Sequence, residues 1–272
     1  TLPHTLNALA QGNPRVIYTL LFRAAADTLL AFGRDPRHLG GTIGVTALLH
    51  TWSQTLTQHL HVHCLVTGGA LAPDRTRWIR GRASFLFPVK ALSPVFRAKY
   101  LAGLHRAYTD GTLTFAAGTA PLADAGQFAA LVTQLRSTPW VVYAKRPFGG
   151  PAQVLQYLGR YTHRIAISNA RLISLVDGVV RLRWKDYADR GHTKIMALDV
   201  DEFLRRFLLH VLPRGFVRIR HFGLLANAQR RTLIARAQDL LGTPTPARSS
   251  DDARATDGDP TRCPFCHQGH WQ

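Results

Sequence analysis

The chain contains little cysteine, methionine or acidic side chain. It has three cysteines and one methionine among its 272 residues. Three cysteines are too few for a disulfide framework, so we expect a reducing compartment, the cytoplasm. Because the single methionine is Met196, Thr1 is not an initiator residue. We therefore expect the sequence to be a fragment or a domain of a longer protein.

Long apolar runs are scarce as well. The longest run, from Val16 to Phe22, ends at Arg23, whereas a membrane-spanning helix needs roughly 20 apolar residues. The first residues lack the basic region and the apolar stretch of a signal peptide. A hydrophobic content of 46% and a mean hydropathy of -0.05 fit a globular protein with one large domain or two small ones. We expect no membrane partner.

Acidic residues are far outnumbered by basic residues. Asp and Glu total 16 against 34 Lys and Arg, which gives a formal net charge of +18 and a pI near 11.1. Each phosphate that a Lys or Arg neutralises releases a condensed counterion, so the excess favours a polyanionic partner. A soluble basic protein without such a partner and a membrane-surface protein would share this charge. The sequence has no long basic amphipathic helix, so we expect nucleic acid.

Hydrophobic spacing divides the chain into helical and extended segments. Helices are predicted over residues 14–32, 92–108, 123–135, 152–161, 199–212 and 227–241, with Ser93 and Pro94 as cap and first position of the second. Strands are predicted over residues 43–50, 60–67, 78–89, 140–145, 164–168, 171–175, 179–187, 194–198 and 216–222. Residues 242–262 carry Pro, Ser, Thr, Gly and four Asp, a composition typical of a flexible linker.

Histidines alternate with apolar residues in the second predicted strand. His59, His61 and His63 project to one side, because side chains alternate faces along a strand, and the apolar residues between them face the core. Converging neutral imidazoles can bind a divalent metal. His50 ends the preceding strand, where a hairpin would place it beside them. A single histidine is more often an ordinary polar residue, but four in this stretch favour a metal site.

Two tyrosines lie four residues apart in predicted helix 152–161. Residues at this spacing share a helix face, with Cβ atoms about 5–6 Å apart, so Tyr157 and Tyr161 face one spot beside Arg160 and Arg164. A phenol with a pKa of about 10 is a poor nucleophile. A metal that neutralises phosphate oxygens would assist its attack on a phosphodiester. The alternative is an aromatic contact on a core face.

Basic residues alternate with apolar residues in two further strands. Each basic set shares one face of its strand: Arg181, Arg183 and Lys185 in the first, Arg218 and Arg220 in the second. The apolar residues between them, such as Val217 and Ile219, would face the core. Such stripes suit a phosphate backbone, and Trp184 or Tyr187 would offer a stacking surface if exposed. A solvated outer sheet face is the alternative for either strand.

Cys263 and Cys266 form a C-x-x-C pair near the C-terminus. This spacing suits tetrahedral Zn²⁺, and His267 or His270 could add ligands. One pair is half a site, so a complete site would need His270 and another partner. A tail with two free thiols is the alternative.

Several segments together resemble the helicase-lacking rolling-circle transposases of the two-tyrosine HUH class, named for histidine–hydrophobic–histidine. The resemblance runs from about Thr1 to Leu241 and is carried by His50 to Gln54, His61 to Val66, Gly68-Gly69, Val142 to Lys145, Pro147 to Gly150, Tyr157 to Arg164, Arg183 to Tyr187 and Phe203 to Asn227. Members of this family usually have a cysteine-rich zinc module and a first core strand before the point where this chain starts. Thr1 to His4 looks like the end of that strand.

The resemblance implies roles for individual residues. The HUH histidines fall on His61 and His63, and the nucleophiles on Tyr157 and Tyr161. His50 is the expected third metal ligand, with His59 as the alternative. We expect DNA contacts from Lys145, Arg160, Arg164, Arg181, Arg183, Lys185, Arg218 and Arg220. The expected ion at the histidines is Mg²⁺ or Mn²⁺, and Zn²⁺ is a candidate for Cys263, Cys266 and His270.

The implied fold is α+β. A central antiparallel sheet carries the HUH pair on a central strand, and the tyrosine helix packs so that its hydroxyls approach the metal. We expect an HUH nuclease core over residues 1–165 and a basic strand and helix extension over 166–241. Residues 242–272 would form the flexible linker and the C-x-x-C tail.

The implied activity is that of a transposase that nicks and religates single-stranded DNA. One tyrosine would attack a phosphate of an element end or target, giving a 5′-phosphotyrosine and a free 3′-OH. The second tyrosine would allow a second strand to be cut. No nucleotide cofactor is needed, because the phosphotyrosine ester conserves the bond energy. Host replication factors are candidate partners.

Three other functions stay open on the sequence. A plasmid relaxase or replication initiator would use the same chemistry at one origin. A zinc hydrolase built on H-x-H would want an acidic ligand and would explain neither the charge nor the paired tyrosines. A non-catalytic nucleic-acid-binding protein would bind DNA with steep salt dependence and form no covalent adduct.

Overall fold

The computed structural model describes residues 1–82, 84–162 and 166–242, with the backbone alone for residues 160–162. The helices are α1 Asn7–Gly12, α2 Pro14–Arg34, α3 Val89–Thr109, α4 Ala125–Ser137, α5 Pro151–Thr162, α6 Val200–Leu208 and α7 Arg230–Leu241. The strands are β1 Gly44–Trp52, β2 Gln58–Val66, β3 Gly69–Leu71, β4 Trp78–Arg80, β5 Leu172–Val176, β6 Val179–Asp186, β7 His192–Asp199 and β8 Ile219–Gly223.

The first sheet has the strand order β2-β1-β8, and both pairs of strands are antiparallel. His50 of β1 lies opposite His61 of β2. Leu48 lies between His63 of β2 and Ile219 of β8. The prediction of a mixed α and β fold with antiparallel sheets is confirmed.

The expectation that the HUH pair lies on a central strand is wrong for the described part of the chain. β1 occupies the middle of the sheet, and β2, which carries the pair, lies at its edge. On its outer side β2 is bordered by the N-terminus, where the N–H of Leu2 donates to the carbonyl of Leu60 at 2.8 Å. β1 is an inner strand because it also pairs with β8, whereas β2 has no second strand partner among the described residues.

Helices α2 and α3 cover one face of this sheet. Ala47 and Leu49 of β1 and Leu60 of β2 are buried in the main core together with Ile17 and Phe22 of α2. Fully burying a leucine or phenylalanine side chain is worth roughly 1.5–3 kcal/mol. This apolar set therefore determines which face the helices cover. Because side chains alternate along a strand, the histidines of β1 and β2 lie on the opposite face.

By length and composition α2 is also able to cross a membrane, with a hydropathy of 1.4 over its most apolar 18 residues. The sequence predicts no membrane-spanning run, because Arg23 interrupts the apolar residues. In the structure, however, α2 continues through Arg23. Half of this window is buried inside the fold, and Ile17, Leu21 and Phe22 lie in the main core. Core helices of globular proteins share this composition.

The second sheet has the strand order β5-β6-β7 and is antiparallel. The turn between β5 and β6 has Asp177 and Gly178 at φ values of 49° and 73°, which suits a tight hairpin and agrees with the predicted turn. Val180 and Leu182 are buried in a smaller core that α6 joins. Leu56, in the loop between β1 and β2, is part of that core and ties the second sheet to the histidine hairpin.

β8 joins the first sheet although it lies within the predicted extension. Residues 44–48 of β1 pair with residues 219–223 of β8. Residues 166–241 therefore supply one strand to the core as well as the second sheet. The division of the chain at residue 165 stays a prediction for the part that contains β5, β6, β7 and α6.

The start of α3 differs from the prediction. The helix begins at Val89, so Ser93 and Pro94 lie inside it rather than at its start. The hydroxyl of Ser93 donates to the carbonyl of Trp140 instead of capping the helix. In the described residues of predicted strand 78–89, only 78–80 are a strand; residues 81, 82 and 84–88 are irregular, and residue 89 begins α3.

Two other predicted strands are absent from the described residues of their segments. Residues 140–145 have no strand partner among the described residues. The carbonyl of Val141 accepts a hydrogen bond from the amino group of Thr1 at 3.1 Å, a single contact rather than a ladder. Of predicted strand 164–168, residues 166–168 are irregular, and residues 164 and 165 lie outside the described chain. The remaining predicted helices and strands are present with shifted ends.

Candidate metal and tyrosine site

Three histidines converge on the sheet face that α2 and α3 leave uncovered. One ligand nitrogen from each of His50, His61 and His63 lies within 4.8 Å of the others. The strand pairing explains this geometry, because His50 is opposite His61, and His63 is two residues further along β2 on the same face. The ring centroid of His50 is 4.4 Å from that of His63 and 5.3 Å from that of His61.

His59, the alternative third ligand, lies outside this group. Its ring is 4.9 Å from that of His61 and 5.4 Å from that of His4. The structure therefore brings His50, rather than His59, together with the HUH pair. His50 is 4% exposed and its ring stacks on Trp52 with centroids 4.3 Å apart. Its role as a ligand stays a prediction.

Hydrogen bonds define which nitrogen of each ring carries the proton. Nδ1 of His61 is 2.9 Å from the carbonyl of His59. A carbonyl only accepts, so Nδ1 carries the proton and Nε2 of His61 keeps a lone pair. That Nε2 is 3.2 Å from Nε2 of His63, which must then donate. Nδ1 of His63 is left as an acceptor.

Burial keeps these imidazoles neutral. The pKa of His61 is lowered to about 2, chiefly by burial; the bond to the His59 carbonyl opposes the shift, and the neighbouring histidines add to it. Burial, followed by the charge of Lys145, lowers the pKa of His63 to about 4. Neutral imidazole is the form that binds metals, so the group fits a divalent cation. Its donors are all nitrogen, a set that Zn²⁺, Fe, Ni²⁺ and Cu prefer more than Mg²⁺ does.

Tyr157 reaches this group from α5. Its hydroxyl oxygen is 2.9 Å from Nδ1 of His63, and it donates there because Nδ1 is an acceptor. The ring of Phe148 packs against the Tyr157 ring with centroids 5.2 Å apart. α5 begins at Pro151 after a Gly-Gly turn in which the N–H of Gly149 donates to Gln153. The turn and the Phe148 contact together aim the phenol at β2.

The second tyrosine and its neighbours are described only in part. The backbone of Tyr161 lies in α5, one helical turn after Tyr157. The side chains of Tyr161 and Arg160 lie outside the described residues, as does Arg164 entirely. The helix itself is confirmed, and residues four apart in a helix share a face.

Residues 140–148 border the site and include a residue that the sequence did not single out. Val142 packs against both large cores, whereas Val141, Tyr143 and Lys145 are exposed. Lys145 lies near enough to His63 to lower its pKa. Tyr143 is 79% exposed. The sequence signal for Tyr143 was its position next to the apolar residue Val142, but a single apolar residue does not define a buried face.

A protein-family model described as "Putative transposase" (Y2_Tnp) matches residues 44–232. This stretch contains β1, β2 and α5, and with them the three histidines and both tyrosines. The chain belongs to this transposase family.

Two curated relatives resemble nearly the whole chain. It is 48% identical over 278 residues to "Putative transposase y4qJ" of Sinorhizobium fredii (strain NBRC 101917 / NGR234), covering 99% of this chain and 70% of that protein. It is 28% identical over 277 residues to the transposase for insertion sequence element IS801 of Pseudomonas savastanoi pv. phaseolicola, covering 98% of this chain and 64% of that protein. The chain thus spans about two thirds of the length of these relatives. No solved structure matches it.

In this transposase the first basic stripe lies on the outer face of the second sheet. Its three residues are exposed: Arg181, Arg183 and Lys185. Val180 and Leu182 between them are buried, as the alternation predicted. Trp184 is half-buried, whereas Tyr187 is 73% exposed. The stripe is therefore accessible, and its contact with DNA stays a prediction.

The second basic stripe of the transposase differs from the prediction. Val217 does not face the core but is 61% exposed. The guanidinium carbon of Arg220 lies 4.5 Å from the ring centre of Phe22 and 4.9 Å from that of Phe216. Arg220 is opposite the buried residue Ala47 in β1 and so shares the face that α2 covers. β8 begins only at residue 219, so Val217 lies before the strand and does not follow its alternation of buried and exposed side chains.

The cysteine tail of the transposase lies outside the described residues. This applies to the candidate zinc ligands Cys263, Cys266 and His270 and to the predicted linker beyond residue 242.

Proposed function

We propose that this chain is the catalytic part of a transposase that nicks and rejoins single-stranded DNA through tyrosine–phosphate links. The observation that carries the proposal is the position of the Tyr157 hydroxyl, 2.9 Å from one of three converging histidines. A core aromatic pair would not need its hydroxyl at a cluster of metal-ligating nitrogens. The family match favours a transposase over a plasmid relaxase or replication initiator.

The proposed reaction uses the phenolic oxygen as the nucleophile. Tyr157 or Tyr161 forms a bond to the scissile phosphorus, and the bond from phosphorus to the 3′ oxygen breaks. The products are a 5′-phosphotyrosine and a free 3′-OH. The phenol loses its proton to solvent, and the departing 3′ oxygen takes up a proton from solvent. Attack by a 3′-OH on the phosphotyrosine reverses the step and joins strands.

His50, His61 and His63 would hold a divalent cation. When bound, the cation neutralises charge on the phosphate oxygens and so assists attack by a weak nucleophile. With Nε2 of His63 used as a ligand, its proton resides on Nδ1. Nδ1 then donates to the Tyr157 oxygen, 2.9 Å away, and this hydrogen bond favours the phenolate over the phenol. Mg²⁺, Mn²⁺ and the transition metals are the candidates.

The basic residues would hold the DNA backbone around this site. Lys145 is placed to do so beside His63. Arg160, Arg164, Arg181, Arg183, Lys185 and Arg218 are further proposed contacts. Arg220 is a proposed DNA contact as well, but on the face of the first sheet that α2 covers. Single-stranded DNA as substrate, host replication factors as partners and the bacterial cytoplasm as location belong to this proposal.

The test is covalent capture of DNA by the whole chain. Single-stranded oligonucleotides with candidate element ends are labelled at the 3′ end, incubated with Mn²⁺ and separated in denaturant. The proposal predicts a labelled protein adduct, because the 3′ fragment stays linked through its 5′ phosphate. With a 5′ label the fragment is released instead.

Matched variants identify the groups responsible. The double variant Tyr157→Phe/Tyr161→Phe and His61→Ala are expected to abolish the adduct. Tyr187→Phe, at an exposed tyrosine of the second sheet, is expected to retain it. Salt-sensitive binding without any adduct would instead favour a non-catalytic DNA-binding protein.

A further inference from the structure

A cleft lies between α2 and the segment that leads into β8. It has a volume of about 450 Å³, and its lining residues are Arg15, Thr19, Gly215, Phe216, Val217 and Arg220. The segment 213–216 turns back on itself, with the N–H of Phe216 donating to the carbonyl of Pro213 at 2.9 Å. Phe216 packs against Tyr18 of α2, with ring centroids 5.7 Å apart. One wall is thus helical and the other is a turn anchored by an aromatic contact.

The cleft and the histidine group lie on opposite faces of the first sheet. Arg220 lies opposite Ala47 in the register of β8 and β1. Ala47 is buried in the core beneath α2. His50 is three residues further along β1 and points to the other face. A ligand in the cleft is therefore separated from the reacting groups by the sheet.

The lining of the cleft includes two arginines and no carboxylate. Arg15, Arg23 and Arg214 are exposed at its edge, and Arg220 lies half-buried in its wall. In the described part of the chain, none of these four forms an ion pair with Asp or Glu, since all ion pairs found there involve other residues. Burial, and after it the charge of Arg23, lowers the pKa of Arg220. The negative charge of an anion in the cleft would raise this pKa again.

Two guanidinium groups are held in place by the protein. That of Arg220 stacks on Phe22 and Phe216, donates from Nε to the Val217 carbonyl at 3.3 Å, and donates from Nη2 to the Thr19 hydroxyl at 3.4 Å. These bonds leave the N–H groups of Nη1 available. Arg15 donates to the carbonyl of Arg214. A guanidinium fixed before binding loses less entropy when it binds a phosphate.

The spacing of the arginines favours a chain of phosphates over a single small anion. Arg15, Thr19 and Arg23 lie at four-residue intervals on α2 and so share one face of the helix. Eight residues of helix are about 12 Å long. Successive phosphates of a nucleic acid match a row of this length without bending both side chains toward one point, as a single phosphate ion would require.

We propose that this cleft binds the phosphodiester backbone of DNA at a distance from the bond that is cut. It would form a second DNA contact of the protein, on the sheet face that faces away from the histidines. The identity of the ligand as DNA rests on the proposed function; the position and charge of the cleft do not. Packing alone accounts for Arg220, but it does not account for the exposed Arg15 and Arg23 beside it.

The test measures DNA binding by fluorescence anisotropy over a range of salt concentrations, in EDTA, so that no cleavage occurs. The variant Arg15→Gln/Arg23→Gln removes two charges at the cleft. Its matched control, Arg106→Gln/Arg136→Gln, removes two exposed arginines from α3 and α4 with the same change of net charge. Labelled single-stranded and duplex oligonucleotides are compared.

The cleft variant is expected to bind roughly tenfold more weakly, and the slope of log K against log salt to fall by about 0.7 for each lost contact on a single strand, or about 0.9 on duplex. The control is expected to keep the wild-type slope. Equal behaviour of the two variants on both DNAs overturns the proposal. A slope change on one DNA only supports it and identifies which form the cleft binds.

Adduct formation tests the proposed function independently of the proposed DNA contact in the cleft. With saturating DNA, the cleft variant is expected to form adduct at the wild-type level, because the cleft does not touch the reacting groups. A changed slope in a chain that forms no adduct would support the cleft and contradict the proposed reaction. An adduct with an unchanged slope would support the proposed reaction and contradict the proposed DNA contact in the cleft.

Discussion

The hydroxyl oxygen of Tyr157 and Nδ1 of His63 lie 2.9 Å apart although 94 residues separate them in the chain. The contact joins α5 to the edge strand β2. It depends on two local features, the Phe148 ring against Tyr157 and the Gly-Gly turn before the helix. Neither the histidine strand nor the tyrosine helix alone implies the contact. The bond between Tyr157 and His63 is therefore the most direct structural link between these two motifs.

The third metal ligand can be identified by comparing two histidine variants. We expect His50→Gln to weaken Mn²⁺ binding at least tenfold, because one of three converging nitrogens is lost. His59→Gln should leave the affinity within about threefold, since His59 holds His61 through its backbone carbonyl, which the variant keeps. Titration calorimetry measures both, with thermal melting as the check on folding. A larger loss in His59→Gln would reverse the assignment.

Tyr143 is expected to stack on a base next to the cleavage site. Its side chain is 79% exposed, and it lies two residues before Lys145, whose charge lowers the pKa of His63. Stacking of a base on an aromatic ring is worth about 1–3 kcal/mol. Tyr143→Ala should therefore weaken binding of single-stranded DNA about tenfold, measured by anisotropy without metal. Tyr143→Phe, which keeps the ring, should bind like the wild type, and equal losses in both variants would exclude stacking.

Stability is expected to fall as the pH drops below neutrality, in part because of His210. This residue is 1% exposed and its Nε2 donates to the carbonyl of Leu56 at 3.0 Å. Burial lowers the pKa of His210 from its ordinary value of 6.5. The unfolded chain therefore takes up a proton that the folded chain does not. The resulting stability is present above pH 6.5 and is lost as the pH falls toward the lowered folded pKa.

Urea denaturation between pH 5 and pH 7.5 measures this effect. One proton corresponds to about 1.4 kcal/mol per pH unit. His210→Gln, which can still donate to Leu56, should reduce the slope of unfolding free energy against pH by up to that amount. The remaining slope comes from groups such as His61 and His63. A variant with the wild-type slope would show that His210 does not titrate in this way.

Gly223 is expected to tolerate no side chain. Its φ is +62°, and a Cβ there would lie 1.9 Å from the carbonyl oxygen of Ile43. Gly223→Ala therefore combines left-handed backbone strain with a backbone clash where β8 pairs with β1. We expect a loss of more than about 3 kcal/mol. Gly178→Ala is the control: φ is +73° but nothing lies within 4 Å, so about 1 kcal/mol is expected. Equal losses would mean that the sheet adjusts at Gly223.

The sequence predicted those features that depend on local periodicity. α2, α5 and the two strands of the histidine hairpin follow from spacing, and strand parity placed His61 and His63 on one face. The choice of His50 over His59 needed the register of β1 against β2. A hairpin pattern limits that register but does not determine it, because it depends on the length of the loop and the bulge between His50 and Trp52.

The predictions that were wrong concern contacts between distant segments. Arg220 was expected on a basic face, yet its guanidinium packs on Phe22 of α2. Pro94 was expected at a helix start, but the packing of α3 against α2 carries the helix past it. Residues 140–145 have an apolar strand composition, but the carbonyls of Trp140 and Val141 accept hydrogen bonds from Ser93 and from the N-terminus rather than from a strand. Periodicity within a segment contains no information about such neighbours.

The pairing of β1 with β8 also determines when the protein can finish folding. β1 ends at Trp52, but its second neighbour is residues 219–223. During synthesis, a ribosome must therefore add more than 160 residues after β1 before that neighbour exists. Until then one edge of β1 exposes unpaired N–H and C=O groups, a surface on which strands from other chains can add. Release of the nascent chain before residue 219 would leave that edge open beside the histidines, so incomplete products of this gene are expected to aggregate rather than cut DNA.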